Sequence, residues 1–421
     1  MIDRLQVTHL RNITRADLKV ADCNVFIGAN GSGKTSLLEA VFLLSRGKSF
    51  RHHQPKRYIQ HHQAAVTVHA ALTDATTLAI QKQLDATTML RLNQNTVYTQ
   101  SPLTQQLPTL LIDPSSMDML EQGSASRRQL LDWLAFHMKP GFHPQWLAYQ
   151  RLLKQRNKLL KQSRQLSNNQ RQELSAWDKG LANHAALIHY YRQQVFNDWQ
   201  PYFERCVAAL LPRYAGKISL SYMAGYDADT PLDEQLAERL TQDLQQGFTR
   251  IGSHRADIQV HWRSQTATKE TSTLKEQAAN VLSRGEKKLL ITALKLSQLP
   301  LLLADNGLSA ASGLVVEKDP LASTTGSFAM EQSEVGGTVA AKDIEADSTA
   351  DITGFTPIVL LDDVTAELDE AAIQILLSTL AALKCQVFIT SLTEDILPLL
   401  QQYWPGFKLF HVKQGVISAP I

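Results

Sequence analysis

Three groups of residues in this chain have the types and the spacing for phosphate chemistry. The first is Gly28-Ala29-Asn30-Gly31-Ser32-Gly33-Lys34-Thr35-Ser36. Its glycines let successive backbone N–H groups converge on phosphate oxygens at a helix start, where unpaired donors and the positive end of the dipole favour an anion. At this spacing Lys34 is expected to reach the outer phosphates of ATP and the Thr35 hydroxyl a Mg²⁺ ion. The second group is Asp362-Asp363, which ends the apolar run Ile358-Val359-Leu360-Leu361. Asp362 is placed to hold Mg²⁺ directly or through water, and Asp363 to orient and partly deprotonate an attacking water. The third is Leu282-Ser283-Arg284-Gly285-Glu286, just before an apolar helical run. A Ser hydroxyl and a Gly N–H at a helix start make a second phosphate cradle. The same residues also read as an ordinary capping box, with Ser283 as N-cap and Glu286 three positions on.

Within one subunit the second cradle is redundant, because the first loop already holds the phosphates. In a head-to-tail homodimer it is not. There it caps the γ-phosphate held by the other copy, so that ATP joins the interface and hydrolysis releases it. Asp369, in Glu367-Leu368-Asp369, is either an interface aspartate in such a dimer or a simple helix N-cap.

The elements that must position these groups follow from periodicity. Val25-Phe26-Ile27 reads as a strand and Leu37-Leu38-Glu39-Ala40-Val41-Phe42-Leu43-Leu44 as a helix, which gives the strand, loop, helix order a phosphate loop requires. Residues 1–30 alternate like strands. Three β-rich runs, 65–72, 78–84 and 89–98, predict an antiparallel edge sheet. From 126 to about 211 the period turns helical, with Leu152, Leu159 and Leu166 seven apart and polar Ser167-Asn168-Asn169-Gln170 before a second helical segment, so an antiparallel helical hairpin is expected. It is far too short for a long coiled-coil arm. A single helix is expected over 232–248, and strands over 218–222 and 386–390. The division of the chain is then an ATPase lobe over 1–125, a helical lobe over 126–250, a return to the ATPase core over 251–303, an insertion over 304–356 and a C-terminal core part over 357–421.

The insertion has no sustained period, is rich in Ala, Ser, Gly and Thr, and reads as disordered. It holds nine acidic residues against Lys318 and Lys342, and so carries −7. Since the whole chain carries +2, the rest carries +9, a balance that favours a nucleic-acid partner. Arg151, Lys154, Lys158 and Lys161 fall at i, i+3, i+7 and i+10 on one helix face, with Arg156 and Arg164 adjacent. Such a stripe could neutralise DNA phosphates without reading sequence; it could equally be a solvated face. Arg127-Arg128 and the group Arg46, Lys48, Arg51, Lys56 and Arg57 are weaker candidates of that kind. His52-His53 and His61-His62 have no carboxylate or thiolate at ligand spacing and read as surface residues. Three widely separated cysteines argue against a disulfide framework. With no export signal and no apolar run long enough for a bilayer, the expected location is cytoplasmic, with no membrane partner.

Taken together, Phe-Ile-Gly-Ala-Asn-Gly-Ser-Gly-Lys-Thr at 26–35, Arg-Leu-Leu-Lys-Gln-Arg-Asn at 151–157, the Ser283 motif, His254-Arg255-Ala256-Asp257 and Leu-Leu-Asp-Asp-Val at 360–364 resemble the RecF family of bacterial recombination mediators. The resemblance spans nearly the whole chain apart from the insertion. It implies an α/β fold, an ABC-type P-loop ATPase head related to the SMC family, with a mixed sheet, an antiparallel edge lobe and a helical lobe. It further implies ATP-driven dimerisation on duplex DNA near single-strand gaps, weak DNA-dependent ATP hydrolysis, and RecR and RecO as partners in loading a recombinase. By position, Gly31, Gly33, Lys34 and Thr35 would form the nucleotide loop and Ser283 and Gly285 the contacts in trans. Four departures stand out, the largest being the acidic insertion between the Ser283 helix and Ile358-Val359-Leu360-Leu361, which reads either as a shield for the DNA surface or as a tolerated surface expansion. Asp363 replaces the Glu common in this class, which suggests slow turnover. No Gln follows the edge sheet within 107–112, where such ATPases sense the metal. Ala366 stands where Ser is usual. The competing readings are a non-hydrolysing ATP-gated scaffold, an ABC-type head of the chromosome-maintenance or break-repair kind, and a transporter ATPase subunit.

Overall fold

Two kinds of strand organise the chain. Cys23–Ile27, Ile358–Leu361 and Gln386–Ser391 are buried at every position, as parallel strands covered on both faces must be. Ala65–Leu72 instead alternates half-buried and buried residues, the pattern of a sheet with one wet face. In the computed structural model, which describes residues 1–121, 123–162, 165–263, 275–305 and 356–418, the strands are β1 Ile2–Leu10, β2 Ile13–Lys19, β3 Cys23–Ile27, β4 Ala65–Leu72, β5 Thr77–Gln83, β6 Thr88–Leu92, β7 Asn95–Val97, β8 Thr109–Ile112, β9 Ile218–Met223, β10 Asp257–Arg263, β11 Lys275–Gln277, β12 Ile358–Leu361, β13 Gln386–Ser391, β14 Lys408–Lys413 and β15 Val416–Ser418. Nearly all of the acidic insertion expected over 304–356 lies outside the described residues.

The core sheet has the order β15-β14-β3-β13-β12-β8. All its pairings are parallel except that of β14 with β15. Register sets the carboxyl ends side by side: Ile27 faces Ser391, Ile389 faces Leu361, and Leu361 faces Ile112. Whatever follows β3, β8, β12 and β13 in sequence is therefore gathered along one edge, the place where open α/β sheets bind ligands.

The antiparallel lobe is a second six-stranded sheet, β2-β1-β4-β5-β6-β7, rather than an edge of the first. The run expected over 89–98 is in fact a hairpin. Asn93 and Gln94 turn it with φ of 48° and 68°, a two-residue loop of the left-handed kind favoured between twisted strands.

The helical lobe is built from Ser124–Met138, Phe142–Gln162 and Asn168–Leu210. The last has 43 residues, roughly 65 Å of helix, and packs on the second as the expected hairpin. Ser167 caps it through a reciprocal bond with Gln170. The length does not make a free arm, because Leu181, Ile188, Val195, Trp199 and Phe203 are all buried along it. The helix expected over 232–248 is two, Leu232–Glu238 and Leu240–Gln246, broken at Arg239 with φ −92° and ψ 2°.

Arg156 corrects one expectation. It is fully buried, not part of the basic face: its guanidinium pairs with Asp178 and Asp243, each at 2.7 Å, and donates to Thr249 Oγ1 at 2.7 Å. Arg164 lies outside the described residues.

Candidate nucleotide site

The phosphate loop leaves β3 at Ile27 and enters the helix Lys34–Arg46 at Lys34. Gly33 is the N-cap at φ 116° and no side chain caps the helix, so its start has no side-chain acceptor; the Ser36 N–H turns back to Gly33 O at 3.1 Å. A side chain at Gly33 would meet Asn12 Oδ1 at 2.9 Å. Asn12, between β1 and β2, braces the loop from outside by donating to Gly31 O at 3.2 Å and Ser32 O at 2.9 Å. The backbone N–H of Gly415 donates to the same Ser32 carbonyl at 2.7 Å. Lys34 is buried, and its ammonium bonds Gly28 O at 2.6 Å and Ala29 O at 3.1 Å. Ala29 and Asn30 form the exposed rim, and Ser36 is buried one turn into the helix.

Asp362 follows β12 and is buried. Its Oδ1 accepts from Thr35 Oγ1 and from Thr390 Oγ1, both at 2.9 Å. Burial raises its pKa; the two hydroxyl donors pull it back, while the nearby Asp363 and Asp113 push it up again. Asp363 sits in the left-handed region, φ 49° and ψ 40°, with its N–H held by Thr390 Oγ1 at 2.8 Å. Its Oδ1 is buried and has no hydrogen-bond partner. These oxygens come from two elements, Thr35 from the loop and Asp362 from the sheet edge, 2.9 Å apart, and the next residue, Asp363, carries an orphaned carboxylate oxygen. That set fits a hard divalent cation such as Mg²⁺.

The Ser283 motif forms the capping box that is one of its two expected readings. Ser283 Oγ accepts from Glu286 N at 3.4 Å and Glu286 Oε2 accepts from Ser283 N at 2.9 Å, so the capping box is made. Tyr214 OH steadies Glu286 Oε1 at 2.9 Å. Ser283, Arg284 and Gly285 nonetheless remain exposed, at the start of the helix Arg284–Leu296. Asp369 is exposed and caps Glu370–Ala382 by accepting from Ala372 N at 2.8 Å.

Against this geometry, residues 1–306 match the family described as the RecF/RecN/SMC N terminal domain. DNA replication and repair protein RecF of Acinetobacter baumannii (strain SDF) is 36% identical over 419 residues, 99% of this chain and 98% of the relative. The chain belongs to the RecF family. RecF of Cellvibrio japonicus is 33% identical over 99% of both chains. The solved structure of the recombination mediator protein RecF with ATP, in the RecFOR pathway, superposes with a TM-score of 0.74 at 20% identity, covering 100% of this chain and 97% of that one. The Smc head domain derived from Pyrococcus furiosus gives 0.51 at 12% identity, covering 100% and 95%. The fold is thus the expected ABC-type ATPase head with a helical lobe, and among the described residues there is no long coiled coil.

Within this RecF-family fold, the structure sorts the remaining candidates. Arg151, Lys154, Lys158 and Lys161 are all exposed on one face of Phe142–Gln162. Arg127 is an internal tie instead, bonded through two nitrogens to Asp257 at 2.9 Å, and Arg128 donates to Ala256 O at 2.8 Å. Arg46 donates to Thr109 O and lies over the Trp133 ring. His254, in the family-like His-Arg-Ala-Asp stretch, bonds Tyr149 and Thr249 O inside the lobe. The paired histidines are exposed, and no cluster of three or more His, Cys, Asp or Glu among the described residues is arranged to hold a metal. Also among the described residues, no helix is long and apolar enough to cross a membrane. Sequence reasoning missed Asn12, Asp113, Lys295, Thr390 and Gly415. The signal for Asp113 and Thr390 was available in the strand ends, each carrying a polar residue where the parallel strands stop.

Proposed function

We propose that this RecF-family chain is an ATP-gated DNA-binding ATPase of recombinational repair. Its loop 28–36 binds ATP, its exposed turn 283–285 caps the nucleotide of a second copy, and the resulting dimer closes on DNA near single-strand gaps. The observation that carries the reading is the Thr35–Asp362–Thr390 cluster, which joins the phosphate loop to the carboxylates at the sheet edge. Mg²⁺ bound there would offset phosphate charge. Lys34 would exchange its carbonyl partners for phosphate oxygens, and Asp363 would orient the attacking water through its orphaned oxygen. The solved RecF that carries ATP supports the nucleotide, and its RecFOR setting supports RecR and RecO as partners. Arg151, Lys154, Lys158 and Lys161 supply a face for duplex phosphates. Slow, DNA-stimulated hydrolysis resets the dimer.

Sedimentation with ATP and a gapped duplex tests this. Asp363→Asn is expected to give a persistent ATP-bound dimer, Lys34→Ala none, and Ser283→Arg a monomer that still binds ATP. Wild-type protein that stays monomeric at saturating ATP and DNA would rule out closure in trans.

A further inference from the structure

The helix Arg284–Leu296 starts at the exposed turn Ser283–Gly285 and runs directly past the metal end of the nucleotide site. Lys288, Thr292 and Lys295 lie at i, i+4 and i+7, and so share one face. Lys288 and Thr292 line a small cavity together with Asp113, Ser116 and Asp362. Lys295 is buried beside it. Its ammonium donates to Leu111 O at 2.6 Å and to Ser116 Oγ, and stands 3.8 Å from Asp113 Oδ1. Burial pushes its pKa down to about 8, and the Asp113 carboxylate beside it favours the charged form. Asp113 follows β8 as Asp362 follows β12. The two strands pair with Ile112 opposite Leu361, and Asp362 N donates to Ile112 O at 2.9 Å. The two carboxylates are thus neighbours on the sheet edge, faced by two lysines of one helix. A buried ammonium of this kind is held by the charges around it, and its hold changes when they change.

We propose that the face Lys288–Thr292–Lys295 is the relay between the metal end of the nucleotide site and the exposed turn that meets a second copy. The inference rests on the nucleotide reading above. With Asp362 shared with a divalent cation, the seam gains two positive charges and its attraction for Lys288 and Lys295 falls. The helix is then freed to shift, and Ser283 and Gly285 reach their trans position only in a loaded subunit. On this proposal the helix takes a second arrangement in the loaded subunit, so that one element links the two sites, which is the physical requirement for coupling.

Hydrogen exchange on the full chain, with a non-hydrolysable ATP analogue in Mg²⁺ or in EDTA, reads the relay directly. In wild-type protein, exchange over 284–296 and over 111–114 is expected to change with Mg²⁺ and not with analogue alone. Lys295→Met is expected to keep analogue affinity within about threefold while losing that difference, and the Mg²⁺ dependence of dimer affinity falls about tenfold, inside the usual range of site-to-site coupling. Lys295→Arg, which keeps the charge, retains it. Asp113→Asn removes the opposite charge with little change in volume and is expected to behave as Lys295→Met does, which covers the case of a poorly folding Met variant. An unchanged Mg²⁺ response in both Lys295→Met and Asp113→Asn overturns the relay alone. Wild-type protein that binds no analogue overturns the nucleotide reading and the relay together.

Discussion

Thr390→Val is the sharpest single perturbation of the candidate site. The Thr390 hydroxyl is fully buried and does two things at once: it donates to Asp362 Oδ1 at 2.9 Å and accepts from Asp363 N at 2.8 Å. Valine keeps the shape and the β-branching, so no cavity opens and strand geometry is preserved. What remains is the loss of two bonds. A bond to a charged group contributes about 1.5–3 kcal/mol, and a neutral one about 0.5–1.5 kcal/mol. The second also restrains Asp363 in a left-handed conformation that itself costs about 1–2 kcal/mol. The expected destabilisation at the ends of β12 and β13 is therefore about 2–4 kcal/mol. Hydrogen exchange of the β12 and β13 amides measures this locally and does not require the whole chain to unfold in one step. Thr390→Ser restores the hydroxyl and should recover all but about 1 kcal/mol of it. A valine variant within about 0.5 kcal/mol of wild type would mean that the hydroxyl positions neither carboxylate.

Asp362→Asn tests the electrostatic side. Because burial raises the pKa of Asp362 in the folded protein, its ionised form is disfavoured there, and the stability it contributes is lost as pH rises through the folded value. Without divalent cation, Asn is therefore expected to be as stable as wild type or more so near neutral pH in thermal melts. That advantage should shrink as pH falls into the carboxylate range, and Mg²⁺ should no longer stabilise the variant. Arg156→Met strands Asp178 and Asp243 in the helical lobe and should cost about 3–5 kcal/mol in urea unfolding; a loss below about 1 kcal/mol would contradict the buried pairing. Lys154→Gln with Lys158→Gln should weaken duplex binding regardless of sequence and lower the log–log salt slope by about 1 for each DNA phosphate no longer neutralised, whereas an unchanged slope would leave that face as a solvated surface. Gly33→Ala must hold φ near 116° against Asn12 and should cost at least about 1 kcal/mol, with weaker nucleotide retention in a filter assay.

The parts of this fold that were legible in the sequence are those written locally. The loop, its flanking strand and helix, and the Ser283 box each fit within about ten residues, and their order follows from glycine spacing and apolar period. The Asn93-Gln94 turn was missed because it carries no glycine, although both residues take positive φ. Arg156 was misplaced for a geometric reason. It stands three residues after Leu153 and three before Leu159, both buried, so it shares their core face and not the face of Lys154 and Lys158. Thr390, Asn12, Asp113 and Lys295 act on partners far away in sequence, with Thr390 Oγ1 and Asp362 separated by 28 residues, Lys295 and Leu111 by 184, and Thr35 and Asp362 by 327. A polar residue at a strand end marks Asp113 and Thr390, but no local pattern names their partners, which strand register and the packing of the helix Arg284–Leu296 bring together.

The brace on Ser32 has a consequence for synthesis. The loop is made early, yet β14, which pairs with β3, and Gly415, which holds Ser32 O, come late, Gly415 following Ser32 by 383 residues. At about 5–20 residues per second the nascent loop waits on the order of 20–80 s for its last support. During that interval the ribosome-bound chain lacks the Gly415 bond and has Asn12 as the loop's brace, and any product that stops short of β14 lacks the same support. On the proposed reading, nucleotide retention is expected to come late in the chain's history, and a product ending before β14 is expected to hold nucleotide more weakly in a filter assay than the chain that carries the closing hairpin.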